Sequence, residues 1–306
     1  WQKWVWSPFL SILGTGATAF VYNGRFQPET YLELLQDYQI NVLCCTPTEY
    51  RMMAKLNNLQ DYNLEHLHSA VSAGEPLNRE VVEQFKRNFN LTVRDGYGQT
   101  ESTLLIGFLK DTEPRPGSMG KGIPGSFVTI IDDDGNEVPP HTKGNIAVPL
   151  DLPALFKGYY KDEERTKAAS AGEYYVTGDL AHKDEDGYFW FEGRRDDIII
   201  SSGYTIGPFE VEDALTNHPA VKECAVVASP HEIRGNIVKA FVILQNDYNG
   251  SEELIKELQT FCKNEVAPYK YPRAIEFVDD LPKTNSGKIR RVELRDAEIA
   301  KYHNKN

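Results

Sequence analysis

The stretch VSAGEPLNREVVEQFKRNFNLTVRDGYGQTES, residues 71–102, decides the fold of this 306-residue chain. It begins as a strand, passes through a Gly-Glu-Pro turn and enters an amphipathic helix over 78–89, which the strand-like LTVR follows. The same alternation precedes it, with a helix predicted over 29–38 and a short buried strand over 40–45. Alternating β and α segments form parallel sheets whose ligand loops lie at strand ends. The sequence therefore predicts an α/β portion with a parallel sheet.

The pattern changes twice further along the chain. From about residue 117 it becomes one of short strands, and FVTIIDDDGNEV (127–138) predicts two strands joined by an Asp-Gly turn. After GRRDD (193–197) helices and strands mix again, with one helix starting near Pro208 and another capped by Ser251. We therefore predict three parts: an α/β portion over 1–116, a β-rich subdomain over 117–193 and a smaller α+β domain over 194–306.

Composition narrows the class of protein. The net charge of -12 and the pI near 5.1 argue against nonspecific binding to nucleic acid or anionic membranes, but they allow a small anion in a local basic pocket. The sequence contains no apolar run of about 18 residues and shows no signal-peptide pattern. The four cysteines favour reduced core thiols in a cytoplasmic protein. The opening WQKWVWSPFL, without Met, leads us to expect a chain that begins inside a larger protein.

RDGYGQTES (94–102) carries several groups that suit a nucleotide. Its glycines allow backbone to approach a ligand, Tyr97 offers a flat stacking face and Thr100 can donate to a phosphate oxygen. Glu101 could hold a hard cation such as Mg²⁺. The alternative for this stretch alone is an ordinary turn that leads into a helix. The alternative for VSAGEPLN alone is an ordinary connection between a strand and a helix.

Two further motifs place charged residues at strand ends. In YVTGDL, Asp179 follows a glycine, and a carboxylate there suits a hydrogen bond to vicinal ribose hydroxyls. In GRRDDIIISSGY, Arg194 could reach the nucleotide and Asp196 could absorb a backbone rotation. The alternatives are an ordinary turn for the first motif and a solvated linker with weak surface ion pairs for the second.

PKTNSGKIRR (282–291) ends in a lysine behind a Ser-Gly loop but is not a P-loop. The P-loop pattern needs a glycine five residues before Gly287, where this chain has Pro282. It also needs Ser or Thr after Lys288, where this chain has Ile289. Lys288 alone could be a solvated loop lysine.

Taken in order, AGEPL, GYGQTE, YVTGDL, GRRDDIIISSGY and PKTNSGK resemble the motifs of the adenylate-forming superfamily. The run GYTIGPFEVE and the later APYKYPR make the chain look most similar to medium-chain acyl-CoA synthetases. The resemblance covers essentially the whole chain. It implies an α/β N-terminal portion with a parallel sheet and a small β-barrel subdomain, followed by a smaller, mobile α+β C-terminal domain that carries the catalytic lysine.

The resemblance also implies a reaction in two halves. A small-molecule carboxylic acid attacks the α-phosphorus of Mg-ATP to give acyl-adenylate and pyrophosphate, and the thiol of coenzyme A then displaces AMP. Lys288 would be the loop lysine that contacts the forming adenylate. A cation placed at developing phosphoryl charge stabilises the transition state more than the ground state. The sequence leaves open a homodimer.

The resemblance assigns roles residue by residue. Glu101 would be the Mg²⁺ carboxylate, Asp179 and Arg194 would hold the ribose, and Asp196 would be the hinge on which the C-terminal domain re-docks. The residues around the adenine and the α-phosphate would be Gly74, Glu75, Pro76, Asp95, Gly96, Tyr97, Gly98, Gln99 and Thr100. The residues along the pantetheine tunnel or at the CoA phosphates would be Ser202, Gly203, Tyr204, Arg234 and Lys270.

The sequence departs from the family pattern in two places. The phosphate loop of the type Ser-Gly-Thr-Thr-Gly-x-Pro-Lys is absent, since LGTGATAF (13–20) lacks the Pro-Lys, and we expect it upstream of Trp1. The chain would then be the C-terminal part of a longer enzyme and could be inactive alone. The other departure is Thr205, where similar synthetases carry arginine.

Gly98 gives a clue to the size of the acid. Acetate-specific relatives have tryptophan at this position, so glycine favours short-to-medium or branched acyl chains. Two alternatives to a carboxylate–CoA ligase remain: an adenylation domain that loads a carrier protein, and a noncatalytic AMP-binding module. The basic pair Arg234 and Lys270 favours CoA.

Overall fold

The structure is a computed structural model that describes residues 12, 14–284 and 288–303. The opening tryptophan-rich segment and residues 285–287 of the lysine motif lie outside the described residues. The chain divides into two compact units, one of residues Trp1–Val128 with Leu150–Glu163 and one of Thr129–Pro149 with Glu164–Asn306. The division at 117 and 194 remains a prediction.

Helices form at the predicted positions 29–38 and 78–89, near Pro208 and after Ser251, whereas Pro47–Ala54 and Glu163–Ala168 are helices that were not predicted. The α-helices are α1 Pro28–Asp37, α2 Pro47–Ala54, α3 Arg79–Phe89, α4 Glu163–Ala168, α5 Pro208–Thr216, α6 Glu252–Glu265 and α7 Arg291–His303. Ser251 caps α6 as predicted, because its Oγ accepts the Leu254 N–H at 3.2 Å. No helix among the described residues combines the length and the apolar character needed to cross a membrane.

The strands of the first unit are β1 Val42–Cys45, β2 Ser69–Ala73, β3 Val93–Gln99, β4 Thr103–Gly107 and β5 Gly120–Gly122. Strands β1, β2 and β3 are adjacent and parallel, and β4 and β5 continue the sheet antiparallel. The predicted parallel sheet is therefore confirmed. Its register pairs Ser72 with Asp95 and Ala73 with Gly96, so the ends of β2 and β3 lie side by side.

Helices α1, α2 and α3 supply the core of the first unit. Helix α3 places Val81, Val82 and Phe85 on one buried face, and the ring of Phe85 meets that of Tyr50 edge-on at 5.2 Å between centroids. Burying one such side chain contributes about 1.5–3 kcal/mol. Helix α2 starts in a capping box between Thr46 and Glu49. These contacts fix the helices that flank the β2 and β3 loops.

The second unit contains two sheets. Its strands are β6 Thr129–Ile131, β7 Gly144–Pro149, β8 Ser170–Ala171, β9 Tyr174–Lys183, β10 Tyr188–Arg194, β11 Ile199–Ser201, β12 Tyr204–Ile206, β13 Val221–His231, β14 Gly235–Leu244 and β15 Ala274–Phe277. One sheet is antiparallel in the order β10-β9-β7-β6. The other runs β12-β11-β14-β13, with β15 parallel to β14. Helices α5 and α6 bury Leu215, Leu258 and Cys262 in the core of the second sheet.

Candidate functional site

The loops after β2 and β3 are joined by one buried carboxylate. Asp95 is buried, and its Oδ1 accepts the Gly96 N–H at 2.9 Å. Its Oδ2 accepts the Leu77 N–H at 3.4 Å, which links it to the AGEPL segment. A carboxylate that accepts hydrogen bonds from two backbone N–H groups is held firmly in position. Asp95 therefore links the AGEPL and GYGQTE motifs. It does so as a buried carboxylate and not as an exposed group.

Glu75 also acts inside the protein. Its Oε2 accepts hydrogen bonds from Arg51 Nη2 at 3.1 Å and from Thr48 Oγ1 at 2.9 Å. Arg51 in turn donates to Asn78 Oδ1 at 3.0 Å, so helix α2 contacts both the Gly74–Pro76 turn and the residue that precedes α3. Gly74 is exposed, and Pro76 is half-buried. The Glu75 carboxylate therefore faces helix α2. A nucleotide base at this turn would meet the backbone of the turn rather than the carboxylate.

Gly98 is required by the local backbone. The β3–β4 register shifts between Tyr97 and Gly98, and a Cβ at Gly98 would lie 1.8 Å from the Thr103 carbonyl oxygen. Such a contact is far inside van der Waals range. The local backbone thus gives a steric reason for the glycine, and the clue to acyl size taken from Gly98 stays a prediction.

We expect Gly98→Ala to destabilise the protein by about 2 kcal/mol, because the added methyl must displace the β3–β4 backbone. Gly107→Ala in the same sheet is the matched control, since its Cβ would meet the Asp95 carbonyl oxygen at an ordinary 3.6 Å. Urea unfolding of both variants measures the difference. Equal midpoints for the two variants would contradict the steric explanation.

The carboxylate of Glu101 is held by a residue that sequence reasoning missed. Tyr159 donates its phenolic O–H to Glu101 Oε1 at 3.0 Å, and the Phe156 N–H donates to the Glu101 carbonyl at 2.7 Å. Tyr159 lies in the aromatic run FKGYY (156–160), whose central glycine is a sequence signal for a loop. Thr100 is exposed beside Glu101, while Tyr97 and Gln99 are half-buried. The first unit thus presents a hydroxyl and an oriented carboxylate on one loop.

Asp179 and Arg194 are brought together in the second unit. They are partners across β9 and β10, after a bulge between Phe191 and Gly193. Asp179 is buried, and its N–H donates to Thr177 Oγ1 at 3.2 Å, whereas Arg194 is exposed. Asp196 is exposed in the 3₁₀ turn Arg195–Asp197 that follows directly. The predicted ribose pair is therefore adjacent, with the predicted hinge two residues beyond it.

Ser202 and Gly203 form the two-residue turn between β11 and β12. Both have positive φ, 50° and 82°, which defines a type I′ turn and accounts for the glycine. Arg234 Nη1 donates to Ser202 Oγ at 3.0 Å, and the Tyr204 ring stacks on Tyr269 at 4.3 Å between centroids. The predicted CoA-side residues Ser202, Tyr204 and Arg234 therefore lie together on the surface of the second unit.

Lys270 differs from Arg234 because its charge is already paired. Its ammonium forms a close ion pair with Glu210 of α5, and the side chain is only 16% exposed. Burial lowers the pKa of Lys270, but the hydrogen bond and charge of Glu210 outweigh it and raise the pKa above its usual value. Before it could bind a phosphate, this lysine would have to exchange one anion for another.

Lys288 lies exposed on a loop that is anchored on both sides. The Lys288 N–H donates to Thr284 Oγ1 at 3.2 Å, and its carbonyl accepts the Thr284 N–H at 2.8 Å. The Arg290 N–H donates to the Pro282 carbonyl at 2.8 Å. Arg291 then makes a bidentate pair with buried Glu212, at 2.8 and 2.6 Å. The backbone of Arg290 and the side chain of Arg291 thus anchor the chain that follows Lys288.

Comparisons with known proteins define the class. The family model of the AMP-binding enzymes matches residues 4–160, and that of the AMP-binding enzyme C-terminal domain matches residues 210–288. The chain therefore belongs to the AMP-binding enzyme family. No group of three or more His, Cys, Asp or Glu side chains that could hold a metal occurs among the described residues.

Individual relatives agree with this family. The chain is 67% identical over 298 residues to an uncharacterized acyl-CoA ligase, YtcI, of Bacillus subtilis, covering 97% of this chain and 56% of the relative. It is 48% identical over 301 residues to the mitochondrial acyl-coenzyme A synthetase ACSM3 of Rattus norvegicus, covering 96% and 52%. The chain spans about half the length of the curated relatives it matches.

Solved structures confirm the adenylate-forming fold. The anthranilate CoA ligase AuaEII in complex with anthranoyl-AMP has a TM-score of 0.86 and 34% identity, covering 92% of this chain and 55% of that one. A benzoate CoA ligase from Burkholderia xenovorans LB400 has a TM-score of 0.82 and 34% identity, covering 92% and 56%.

Proposed function

We propose that the chain is the nucleotide- and CoA-binding portion of an AMP-forming carboxylate–CoA ligase. The observation that carries the proposal is the buried Asp95 carboxylate, which joins the two nucleotide motifs at the ends of parallel strands β2 and β3. Loops at the carboxyl ends of adjacent parallel strands are where α/β proteins bind nucleotides. The names of the relatives, acyl-CoA ligase and acyl-coenzyme A synthetase, support the same reaction.

The proposed chemistry proceeds through an acyl-adenylate. A carboxylate oxygen of the acid attacks the α-phosphorus of ATP, and pyrophosphate leaves with the electron pair of the broken P–O bond. The CoA thiolate then attacks the acyl carbon, and AMP leaves with the electron pair of the broken C–O bond. Thr100 donates to an α-phosphate oxygen, Asp179 accepts from the ribose hydroxyls, and the Lys288 ammonium opposes the negative charge that develops in the first step. The C-terminal domain re-docks about Asp196 between the steps.

Glu101 fits a Mg²⁺ ion that arrives with ATP. Magnesium commonly binds proteins through one or two carboxylates and otherwise through water and substrate phosphates. A single oriented carboxylate matches that mode. When bound, the ion neutralises charge on the phosphates. Tyr159 would hold the carboxylate in place for it.

We therefore expect Tyr159→Phe to raise the Mg²⁺ concentration for half-maximal ATP–pyrophosphate exchange by about tenfold, as is usual when a partner of a metal ligand is removed. Tyr160→Phe is the matched control, because Tyr160 is 88% exposed and adjacent in sequence. Magnesium titrations of the exchange rate for both variants measure the effect. Identical magnesium curves would show that Tyr159 does not orient the metal carboxylate.

The acceptor and the acid are tested together by product analysis. Free CoA and a phosphopantetheinyl carrier protein are offered with acids from acetate to decanoate, branched acids and benzoate. Thioester formation on free CoA with aliphatic acids supports the proposal, whereas a thioester on the carrier alone supports the adenylation-domain alternative. Benzoate preference would move the substrate to the aromatic class of the two structural neighbours. AMP binding with no turnover would support a noncatalytic module.

We also place the protein in a reducing compartment, with the cytoplasm as the simplest one. All four of its cysteines are free thiols in the structure. Cys45, Cys224 and Cys262 are buried, and burial raises the pKa of the Cys262 thiol to about 12, whereas Cys44 is exposed. Buried thiols of this kind are unreactive and are typical of proteins that are not stabilised by disulfides.

A further inference from the structure

Helix α7 is fixed to the second sheet of its unit by buried charges. Glu298 is 6% exposed and accepts hydrogen bonds from Ser229 Oγ at 2.8 Å, Lys239 Nζ at 2.8 Å and Lys301 Nζ at 3.1 Å. At its first residue, Arg291 makes the bidentate pair with Glu212. Charge-assisted bonds at the first residue and in the middle of this helix leave it little freedom to move against the sheet.

Arg295 extends from this fixed helix to the predicted hinge. Its Nη1 donates to the backbone carbonyl oxygen of Asp196 in a close contact, and to Asp197 Oδ1 at 3.2 Å. The side chains of Arg295 and Asp197 are 25% and 16% exposed, so the pair is partly shielded from water. The contact joins residues almost a hundred positions apart and has no counterpart in the sequence motifs.

Both accepting atoms lie on the C-terminal side of the hinge dihedrals. The carbonyl oxygen of Asp196 is in the same rigid peptide plane as the Asp197 N–H, so it moves with Asp197 when φ or ψ of Asp196 changes. A rotation at Asp196 therefore preserves both Arg295 contacts. A rotation one residue later, at Asp197, would strain or break the contact with the Asp196 carbonyl.

We propose that Arg295 is a positioning residue that confines the hinge rotation to Asp196. By clamping the 196–197 peptide to helix α7, it makes this peptide the rigid beginning of the body that also carries Lys288. The same helix starts three residues after Lys288, so the clamp and the lysine loop share one support. This inference rests on the proposed function, because it assigns the hinge a role in the two half-reactions.

The test combines a structural and a kinetic readout on Arg295→Ala, in the longest natural form that contains this chain. Loss of charge-assisted hydrogen bonds should raise hydrogen exchange of the backbone amides at 196–199 by about tenfold or more. Pyrophosphate exchange needs only one docked orientation, whereas acyl-CoA formation needs the rotation in every turnover. We therefore expect a several-fold larger loss in acyl-CoA turnover than in pyrophosphate exchange.

Lys256→Ala is the control, because Lys256 is an exposed cation on helix α6 of the same unit. If Arg295→Ala fails to fold, Asp197→Asn removes one arm of the clamp with little change in shape and should show the same two effects more weakly. Exchange at 196–199 that matches the Lys256→Ala control would overturn the proposal, as would equal loss in both reactions. Absence of both reactions in the wild type would instead refute the proposed function, and the hydrogen-exchange result would still decide whether the clamp exists.

Discussion

Lys288→Ala should reduce carboxylate-dependent adenylation by about 10²–10³-fold, the loss typical when one charged contact to a transition state is removed. Thioester formation from supplied acyl-adenylate should stay close to wild type, because the proposed re-docking about Asp196 moves Lys288 away from the adenylate before that half-reaction. Lys288 is suited to this role because its side chain is exposed while its backbone is held on both sides by Thr284. The two half-reactions are measured separately, by pyrophosphate exchange and by stopped assay of acyl-CoA.

The control for this variant is Lys283→Ala on the same loop. Lys283 Nζ pairs with Glu223 at 2.7 Å, so its removal weakens the loop without removing the proposed catalytic cation. A small and equal effect of Lys283→Ala on both half-reactions is expected. If Lys288→Ala itself lowered both half-reactions equally, the role assigned to the lysine would be wrong.

Glu212→Ala should destabilise the second unit by about 3 kcal/mol, because it leaves the Arg291 guanidinium without its partner in a shielded position. Glu212 also accepts the Val226 N–H at 2.8 Å. This one carboxylate of α5 therefore bonds both to the backbone of strand β13 and to Arg291, which follows the lysine loop. Burial lowers the pKa of Arg291, but the charge of Glu212 outweighs burial and raises it further above the usual range. Urea unfolding followed by far-UV circular dichroism gives the change in the free energy of unfolding.

Glu257→Ala supplies the matched comparison on helix α6. Glu257 pairs with His218 at 3.2 Å, but it is 63% exposed, and exposed pairs contribute about 0–1 kcal/mol. A Glu212→Ala effect as small as that of Glu257→Ala would mean that the Arg291 pair does not anchor the lysine loop.

Local patterns were sufficient to predict the elements that support the site. Apolar spacing over 78–89 and the strand-like LTVR gave α3 and the start of β3, because side chains on one face of a helix or strand recur at fixed intervals. Ser251 was predicted as an N-cap from its position before an apolar-periodic run, and that cap forms. The parallel pairing of β2 and β3 followed from the helix between them.

What the sequence could not give is the set of partners that arrive from far along the chain. Tyr159 reaches Glu101 across 58 positions, and Lys270 pairs with Glu210 across 60. Neither pair lies in one helix or one hairpin, so no periodicity brings them together. Glu75 shows the same limit: the motif indicates a loop beside the base, whereas the contact with Arg51 turns its carboxylate inward.

Gly98 has a structural reason that the sequence motif did not reveal. The sequence suggested an open acyl pocket, and the structure adds that a Cβ here would lie 1.8 Å from the Thr103 carbonyl oxygen, so that the backbone would have to shift for any side chain. Such a constraint depends on the bulge between β3 and β4, which no residue pattern in GYGQTES specifies. The preference for short-to-medium or branched acids therefore stays a prediction, which the series of acids tests.

The central claim is that these residues form an acyl-adenylate, and carboxylate-dependent ATP–pyrophosphate exchange tests it most directly. Straight-chain acids from acetate to decanoate, branched acids and benzoate are tested on this chain and on the longest natural form that contains it. We predict exchange in the longer form that depends on the acid and on Mg²⁺ and is lost in Lys288→Ala. Bound AMP without acid-dependent exchange in either form would contradict the claim.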